Sequence, residues 1–304
     1  GKEAVLHAIK GEIREAMAKI SSVQSVEGSN TLLPEAVASR WLALTQKQRE
    51  QTGIVVLTNE VRSKVNEHIR DALKDEYRIG REDHRFQSLR DQGMTRAEKA
   101  DARSYAVGDI VLPVANAPRD GLEKDVQYRV SKIDQKANSI TLLDERTGEL
   151  HSVTLKQNDK SAQNLRVFAE DSRDFSTNDK VKLTIADKAN GIINGARGRI
   201  EAINDRDLAL QLDDGRKVSL PRDGLTAKGI DHAYAATAHD FQGSTVDRIV
   251  IGMSATEALS TQKSFYVNIS RMRDEAVLIT TNVADLAKRL EENTGERPAA
   301  LDTW

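Results

Sequence analysis

The feature that most constrains the fold is an internal repeat in the middle of the chain. Residues 105–111 match residues 175–181 in an initial aromatic, an aspartate and a final valine, at an offset of 70 residues. Two dipeptide pairs match at the same offset: Arg129-Val130 with Arg199-Ile200, and Ile133-Asp134 with Ile203-Asn204. Short alternating apolar segments, separated by Gly, Asn and Asp turns, predict about five strands in each copy. We therefore expect two related small barrels.

The flanking sequence has a different hydrophobic pattern, which is typical of an α/β domain. Helical periodicity covers residues 3–20 and 34–51, with Pro34 in a first turn. Thr58-Asn59 is a helix cap, followed by helical spacing from Val61 to Leu73. Continuous apolar runs suit strands that are buried on both faces of a parallel sheet. These runs are residues 54–57, 248–251 and 276–279.

The α/β pattern of the flanks and the short alternating segments between them predict an α/β lobe interrupted by an all-β insertion. The lobe comprises residues 1–80 and 226–304, and residues 81–104 are a polar connector, helical or extended. The insertion covers residues 105–225 as barrels 105–170 and 171–225.

Composition excludes several classes of function. The chain has no cysteine, so disulfides, zinc–thiolate sites and thiol nucleophiles are excluded, and a cytoplasmic location is favoured. No apolar run reaches the roughly 20 residues of a membrane span, so we expect no membrane insertion. A net charge of −2 and 4% aromatic residues leave room only for a local nucleic-acid surface. Because residue 1 is a glycine, we interpret the chain as a fragment.

Two motifs near the end of the sequence carry chemistry. The first runs from Thr237 to Thr245 and precedes the strand 248–251. The second runs from Tyr266 to Arg273 and precedes the strand 276–279. They resemble the fifth and sixth motifs of superfamily 1 helicases of the RecD branch, and the helix bearing Arg62 resembles the fourth-motif region. The insertion also resembles the one in the second lobe of those helicases.

The resemblance implies a RecA-like lobe, an insertion of Src-homology-three-like barrels, and roles for individual residues. Arg271 would be an arginine finger that stabilises charge on a transferred phosphate, with Arg62 a weaker second candidate. Gln242 and Gly243 would lie at the lobe junction, and the remaining motif residues would contact DNA phosphate or nucleotide. Those residues are Thr237, His239, Thr245 and Arg273.

Nucleotide hydrolysis in these helicases needs a phosphate loop, G-x-x-x-x-G-K-[ST], which the sequence lacks. We therefore expect no catalytic residue, no metal and no cofactor in this chain. ATP and magnesium would serve only an intact helicase with its first lobe. No nucleophilic triad or metal-spaced histidine cluster indicates another enzyme.

Taken together, the motifs most closely resemble the TraI family of conjugative relaxase–helicases. That family implies single-stranded DNA binding, and an internal translocation signal recognised by the coupling ATPase of a type IV secretion machine. It also implies a location in the cytoplasm of a bacterial donor cell and transfer of the parent protein to the recipient cell. Contacts with the rest of the relaxase–helicase chain are implied as well. The relaxase tyrosines are absent here. Met272 and Asn268 depart from the sixth motif and fit a degenerate helicase-like region.

The candidate surface for DNA or a partner lies on the insertion. It comprises basic residues, most of which alternate with acids: Lys124, Arg129, Lys132, Lys180, Lys182, Lys188, Arg197 and Arg199.

Two alternatives stay open. In the first, the chain is the second lobe of the active ATP-dependent motor of the same family. In the second, it is an unrelated α/β protein with a β insertion. In the second case Arg271 and Arg273 only cap a helix end, His239 is structural and Gly243 makes a turn.

Overall fold

The computed structural model describes residues 2–26, 32–238, 240–241 and 245–295. It forms two compact units, residues 1–81 with 232–304, and residues 82–231. The first part of the chain contains α1 (Lys2–Ile9), α2 (Ile13–Lys19), β1 (Ser22–Ser25), α3 (Leu33–Leu42), α4 (Gln46–Glu50), β2 (Thr52–Val56) and α5 (Asn59–Asp75).

The middle of the chain contains β3 (His84–Asp91), α6 (Arg96–Lys99), β4 (Ile110–Pro113), β5 (Tyr128–Asp134), β6 (Ser139–Asp144), β7 (Leu150–Thr154), α7 (Lys160–Gln163), β8 (Leu165–Phe175), β9 (Lys180–Leu183), β10 (Ala196–Ile203), β11 (Asp207–Leu212), β12 (Lys217–Pro221), α8 (Leu225–Lys228) and β13 (Ile230–His232). The last part contains β14 (Ala235–Thr237), β15 (Val246–Gly252), α9 (Gln262–Ile269), β16 (Met272–Thr280) and α10 (Val283–Glu292).

The first unit is built on a parallel sheet with the order β1-β16-β15-β2-β14. Alternate residues of its central strands enter two separate apolar cores. Val55 and Ile251 pack in a core with α1, α2, α9 and α10, whereas Ile54 and Val250 pack in a core with α3 and α5. Helices therefore cover both faces, as the continuous apolar runs predicted.

Two predicted helices are each interrupted by local chemistry. The periodic stretch 3–20 forms two helices, because Gly11 adopts a left-handed conformation with φ +75°. The stretch 34–51 also divides in two. There Thr45 caps α4 by accepting a hydrogen bond from the Gln48 backbone, and the Gln48 side chain accepts one in return. The predicted cap at Thr58 is present and accepts from the Val61 backbone N–H.

The repeat is visible as two antiparallel sheets with one strand order. The first copy runs β8-β4-β5-β6-β7, and the second runs β13-β9-β10-β11-β12. Bulges fall at Val130/Lys132 and, 70 residues later, at Ile200/Ala202. Asp109 and Asp179 are both buried, and each accepts a 2.8 Å hydrogen bond from the backbone N–H three residues before it. The mixed α/β class, with parallel and antiparallel sheets, is thus confirmed.

The structure departs from the predicted connector at β3. This strand lies inside residues 81–104 and pairs along its whole length with the last eight residues of β8. Phe86 on β3 packs edge-on against Phe175, with ring centroids 5.5 Å apart, in the core of the second copy. The polar stretch is therefore part of the β unit. Among the described residues, no helix is both long and apolar enough to cross a membrane.

Candidate functional site

The helicase-motif residues divide between the two ends of the parallel sheet. Thr245, Arg271 and Arg273 lie at the amino end, next to the starts of β15 and β16. The Arg271 carbonyl accepts from the Val246 N–H at 3.0 Å, and the Arg273 guanidinium lies 3.5 Å from the Asp247 carboxylate. Thr245 is exposed. These three residues are therefore close together.

Arg271 follows α9 and contributes a buried donor at this end of the sheet. Its Nε atom has no hydrogen-bond partner among the residues that the structure describes, and the same holds for the side-chain nitrogen of buried Asn268. An unsatisfied buried donor costs about 1–3 kcal/mol, and a guanidinium donor suits a carboxylate or phosphate oxygen. This arrangement can accept an anionic group. Asn268, which the motif pattern marks only as a departure, is thus part of this arrangement.

Arg62 and Thr237 lie at the opposite, carboxyl end of the sheet. Thr237 pairs in register with Val56, the last residue of β2, and Arg62 lies in the first turn of α5, which follows β2. Arg62 is 3% exposed, and its Nε donates to the Asn59 side chain at 3.1 Å. A five-residue strand separates the two ends by roughly 13–16 Å. Arg62 and Arg271 are thus not brought together at one end.

His239, Gln242 and Gly243 lie outside the residues that the structure describes. Their roles stay predictions.

On the insertion, four candidate cations share one face of the β9–β10 pair. Lys180 is directly opposite Arg199, and Lys182 is directly opposite Arg197. Val181 and Ile200, which point to the other side, are buried in the core of this copy. Lys182 is also buried, whereas Arg197 and Arg199 are partly exposed and form no ion pair within the described part of the chain. Among the described residues, the Arg199 guanidinium donates only to the Asn178 carbonyl, at 3.3 Å.

In the first copy, the residue equivalent to Arg199 is Arg129, and its charge is paired with carboxylates. Arg129 binds the carboxylates of Glu170 and Glu145 at 2.8 and 2.5 Å, and these hydrogen bonds raise the pKa of Arg129 above its usual range. The Arg129 hydrogen bond in turn lowers the pKa of Glu170. Gln127 occupies the position equivalent to Arg197. The two related sheets therefore carry different charge on the same face.

The other three candidate lysines are not part of this face. Lys124 and Lys132 are exposed on the first copy, and Lys188 is exposed in a turn of the second copy. They are scattered cations on a solvated surface.

A cleft that sequence analysis missed runs along β3 in the second unit. Its volume is about 580 Å³, and residues 85–89 form one wall. Arg206, Arg222 and Lys228 contribute cations, and the buried Ser88 hydroxyl has no hydrogen-bond partner among the described residues. The alternation of Phe86 with polar neighbours was the available signal for this strand.

Comparison with known families identifies part of this β unit. Residues 88–173 match the family model for the DNA relaxase TraI 2B/2B-like domain. This segment is therefore similar to that domain family. The match begins within β3 and ends within β8, so it includes the first copy of the repeat and much of the β3–β8 pair.

The similarity to TraI extends beyond that domain. The chain is 24% identical over 254 residues to the multifunctional conjugation protein TraI of Escherichia coli, and 25% identical over 256 residues to the TraI of strain K12. Each match covers 82% of this chain but 14% of the relative. The chain is therefore homologous to TraI and spans about one seventh of the length of these relatives.

Solved helicase structures show a weaker likeness. A Pif1 helicase from Bacteroides, in complex with ADP-AlF3 and single-stranded DNA, is 13% identical with a TM-score of 0.39, covering 86% of this chain and 51% of that one. The Pif1 helicase from Candida albicans is 10% identical with a TM-score of 0.39, covering 83% and 54%. These scores are too low to bear on the function of this chain.

Proposed function

We propose that this chain is a non-catalytic part of a conjugative DNA relaxase/helicase. In this proposal it binds single-stranded DNA and acts as an internal translocation signal that the coupling ATPase of a type IV secretion machine recognises. The first unit is the RecA-like second lobe, and the two sheets are Src-homology-three-like barrels. The parent protein acts in the cytoplasm of the donor cell before it is transferred.

The cationic face of β9–β10 carries the DNA half of the proposal. Arg197 and Arg199 lie two residues apart on one strand, so both guanidinium groups are on the same side of the sheet. Successive phosphates of an extended single strand fit such a row, and arginine binds phosphate in a bidentate way. Because Arg129 is already bound to two carboxylates, DNA binding is assigned to the second copy.

A salt-dependent titration with an oligodeoxynucleotide tests this assignment. Each phosphate contact contributes about 0.7 to the slope of log K against log salt for single strands. Changing Arg197 and Arg199 to alanine should lower the slope by about 1.4, and should weaken binding roughly 25-fold at 0.1 M salt. The control changes Lys124 and Lys132 to alanine, which removes the same charge from the first copy. Equal losses for both double variants would contradict the proposal.

The secretion half needs an assay of the full-length parent protein. Charge changes on the exposed surface of residues 105–225, with Arg197 and Arg199 left intact, should reduce plasmid transfer while DNA binding stays unchanged. Wild-type transfer for every such variant would refute the translocation role.

The unpaired donors at Arg271 and Asn268 favour a second candidate, in which the chain is half of an active motor. Since the sequence has no phosphate loop, these donors would reach a nucleotide held by another lobe. Arg271→Gln in the full-length protein would then lower ATP turnover at least 10²-fold, whereas the non-catalytic proposal expects unchanged turnover.

A further inference from the structure

The strand β3 is an edge strand with one side hydrogen-bonded. It is the first strand of the sheet order β3-β8-β4-β5-β6-β7, and its ladder to β8 is regular over eight residue pairs. Just past its end, the Gln92 N–H donates to the Val167 carbonyl, in register with the same ladder. In an antiparallel pair, residues that hydrogen-bond the neighbouring strand alternate with residues that face away from it. Even-numbered residues of β3 therefore bond to β8, and odd-numbered residues point their backbone groups outward.

Arg85 confirms this assignment, because its carbonyl accepts from the Arg222 guanidinium at 2.6 Å. The backbone groups of Gln87 and Leu89 also point outward and make no hydrogen bond to another described residue outside the β8 ladder; Gln87 is exposed, whereas the Leu89 side chain is buried in a small cluster that includes Leu225. Edge strands with unpaired donors and acceptors are templates for an added strand.

The cleft lies along this edge. Residues 85–89 form its wall, and five strand residues span about 16 Å. Its volume of about 580 Å³ is within the range that bound ligands fill. Ser88 is one of these wall residues and is 2% exposed, and its hydroxyl has no hydrogen-bond partner in the described part of the chain.

The charge of the lining indicates what kind of occupant fits. Arg206, Arg222 and Lys228 form no ion pair among the described residues, and Arg222 is held over the Phe86 ring, 4.5 Å from its centroid. Glu170, which also lines the cleft, is bound to Arg129. Two further acids, Asp205 and Asp223, also line the cleft. The three cations without an ion pair therefore outnumber these two carboxylates by one.

We propose that β3 binds an extended, acidic peptide segment of a partner protein as an additional strand of this sheet. The outward groups of Gln87 and Leu89 supply backbone hydrogen bonds, and the cations select carboxylates. The site goes beyond the proposed function, since it requires neither DNA nor a particular identity for the partner.

Panning a displayed library of random decapeptides on the full chain tests this site. Selected peptides should be rich in acidic residues, and Gln87→Pro should weaken their binding at least tenfold, because proline removes the outward N–H without breaking the β8 ladder. The matched control is Ser152→Pro on β7, the other edge strand of the same sheet. The Leu155 N–H donates to the Asn138 carbonyl, which makes Ser152 outward-facing by the same alternation. Ser152→Pro should bind the peptides as wild type does.

Hydrogen–deuterium exchange of the wild-type chain removes any dependence on how the proline variants fold. The bound peptide should protect residues 85–91 at least tenfold. Three outcomes would overturn the proposal: no enrichment of peptides, protection elsewhere only, or self-association of the wild type that Gln87→Pro abolishes. The last would make a second copy of this chain the occupant.

Discussion

Asn138 ties the predicted connector to the first sheet. Its side-chain amide donates to the carbonyls of Ala100 at 2.8 Å and Leu155 at 2.7 Å, and its side-chain oxygen accepts from the Ala102 N–H at 2.8 Å. The residue also adopts a left-handed conformation with φ +47°, which asparagine tolerates better than most residues. One side chain therefore joins residues 100–102 to the β5–β6 turn and to the end of β7.

Replacing Asn138 separates two contributions to stability, its side-chain hydrogen bonds and its tolerance of a left-handed backbone. Asn138→Gly removes three hydrogen bonds and keeps the backbone relaxed, so it should destabilise the second unit by about 3 kcal/mol, at roughly 1 kcal/mol for each bond. Asn138→Ala removes the same bonds and adds about 1 kcal/mol of left-handed strain. Asn138→Asp retains an acceptor but places a negative charge against two carbonyl oxygens, so it should be at least as harmful as Gly.

Native-state hydrogen exchange with peptide-level mass spectrometry measures these changes in the second unit alone. Residues 98–106 should lose protection first, because they lose their attachment to the sheet. Stability within about 0.5 kcal/mol of wild type for Asn138→Ala, together with unchanged protection of residues 98–106, would show that the asparagine is not the tether.

Two further predictions concern the same unit. The Arg146 hydrogen bond lowers the pKa of Asp144 to about 2 from an ordinary 3.8. A carboxyl whose pKa is lowered in the folded state stabilises the fold at pH values above its unfolded-state pKa, and this stabilisation is lost as the pH falls. Wild type should therefore lose stability more steeply than Asp144→Asn between about pH 4 and pH 2 in urea titrations. Identical slopes of stability against pH would exclude this contribution. A Cβ at Gly198 would lie 2.4 Å from the Gln211 carbonyl oxygen, so Gly198→Ala should force β10 and β11 apart and cost about 1–3 kcal/mol; unchanged urea unfolding would contradict that packing.

The sequence alone determined the repeat and the α/β flanks, because both are local patterns. Buried positions recur with a period of two in each copy, and the positions that need a left-handed backbone recur at the same offset, as at Gly121 and Gly191. Continuous apolar runs such as 54–57 predicted the buried parallel strands. Such signals require no knowledge of distant partners.

Tertiary structure decided which distant segments pair. Residues 84–91 have few apolar positions, and they become a strand because β8, about 80 residues later, supplies both a ladder and a core for Phe86. The same holds for charge: Arg129 and Arg199 are equivalent in the repeat, yet only Arg129 meets two carboxylates.

The placement of the motif residues has the same origin. A motif gives the order of Arg62 and Arg271 along the chain, but the direction of each strand assigns them to opposite ends of the sheet. The repeat likewise predicted the strands of the two modules, while the unpaired edge of β3 exists only because strand pairing stops there. Hydrogen-bond satisfaction and burial between distant segments determine such features, and neither is encoded in local spacing.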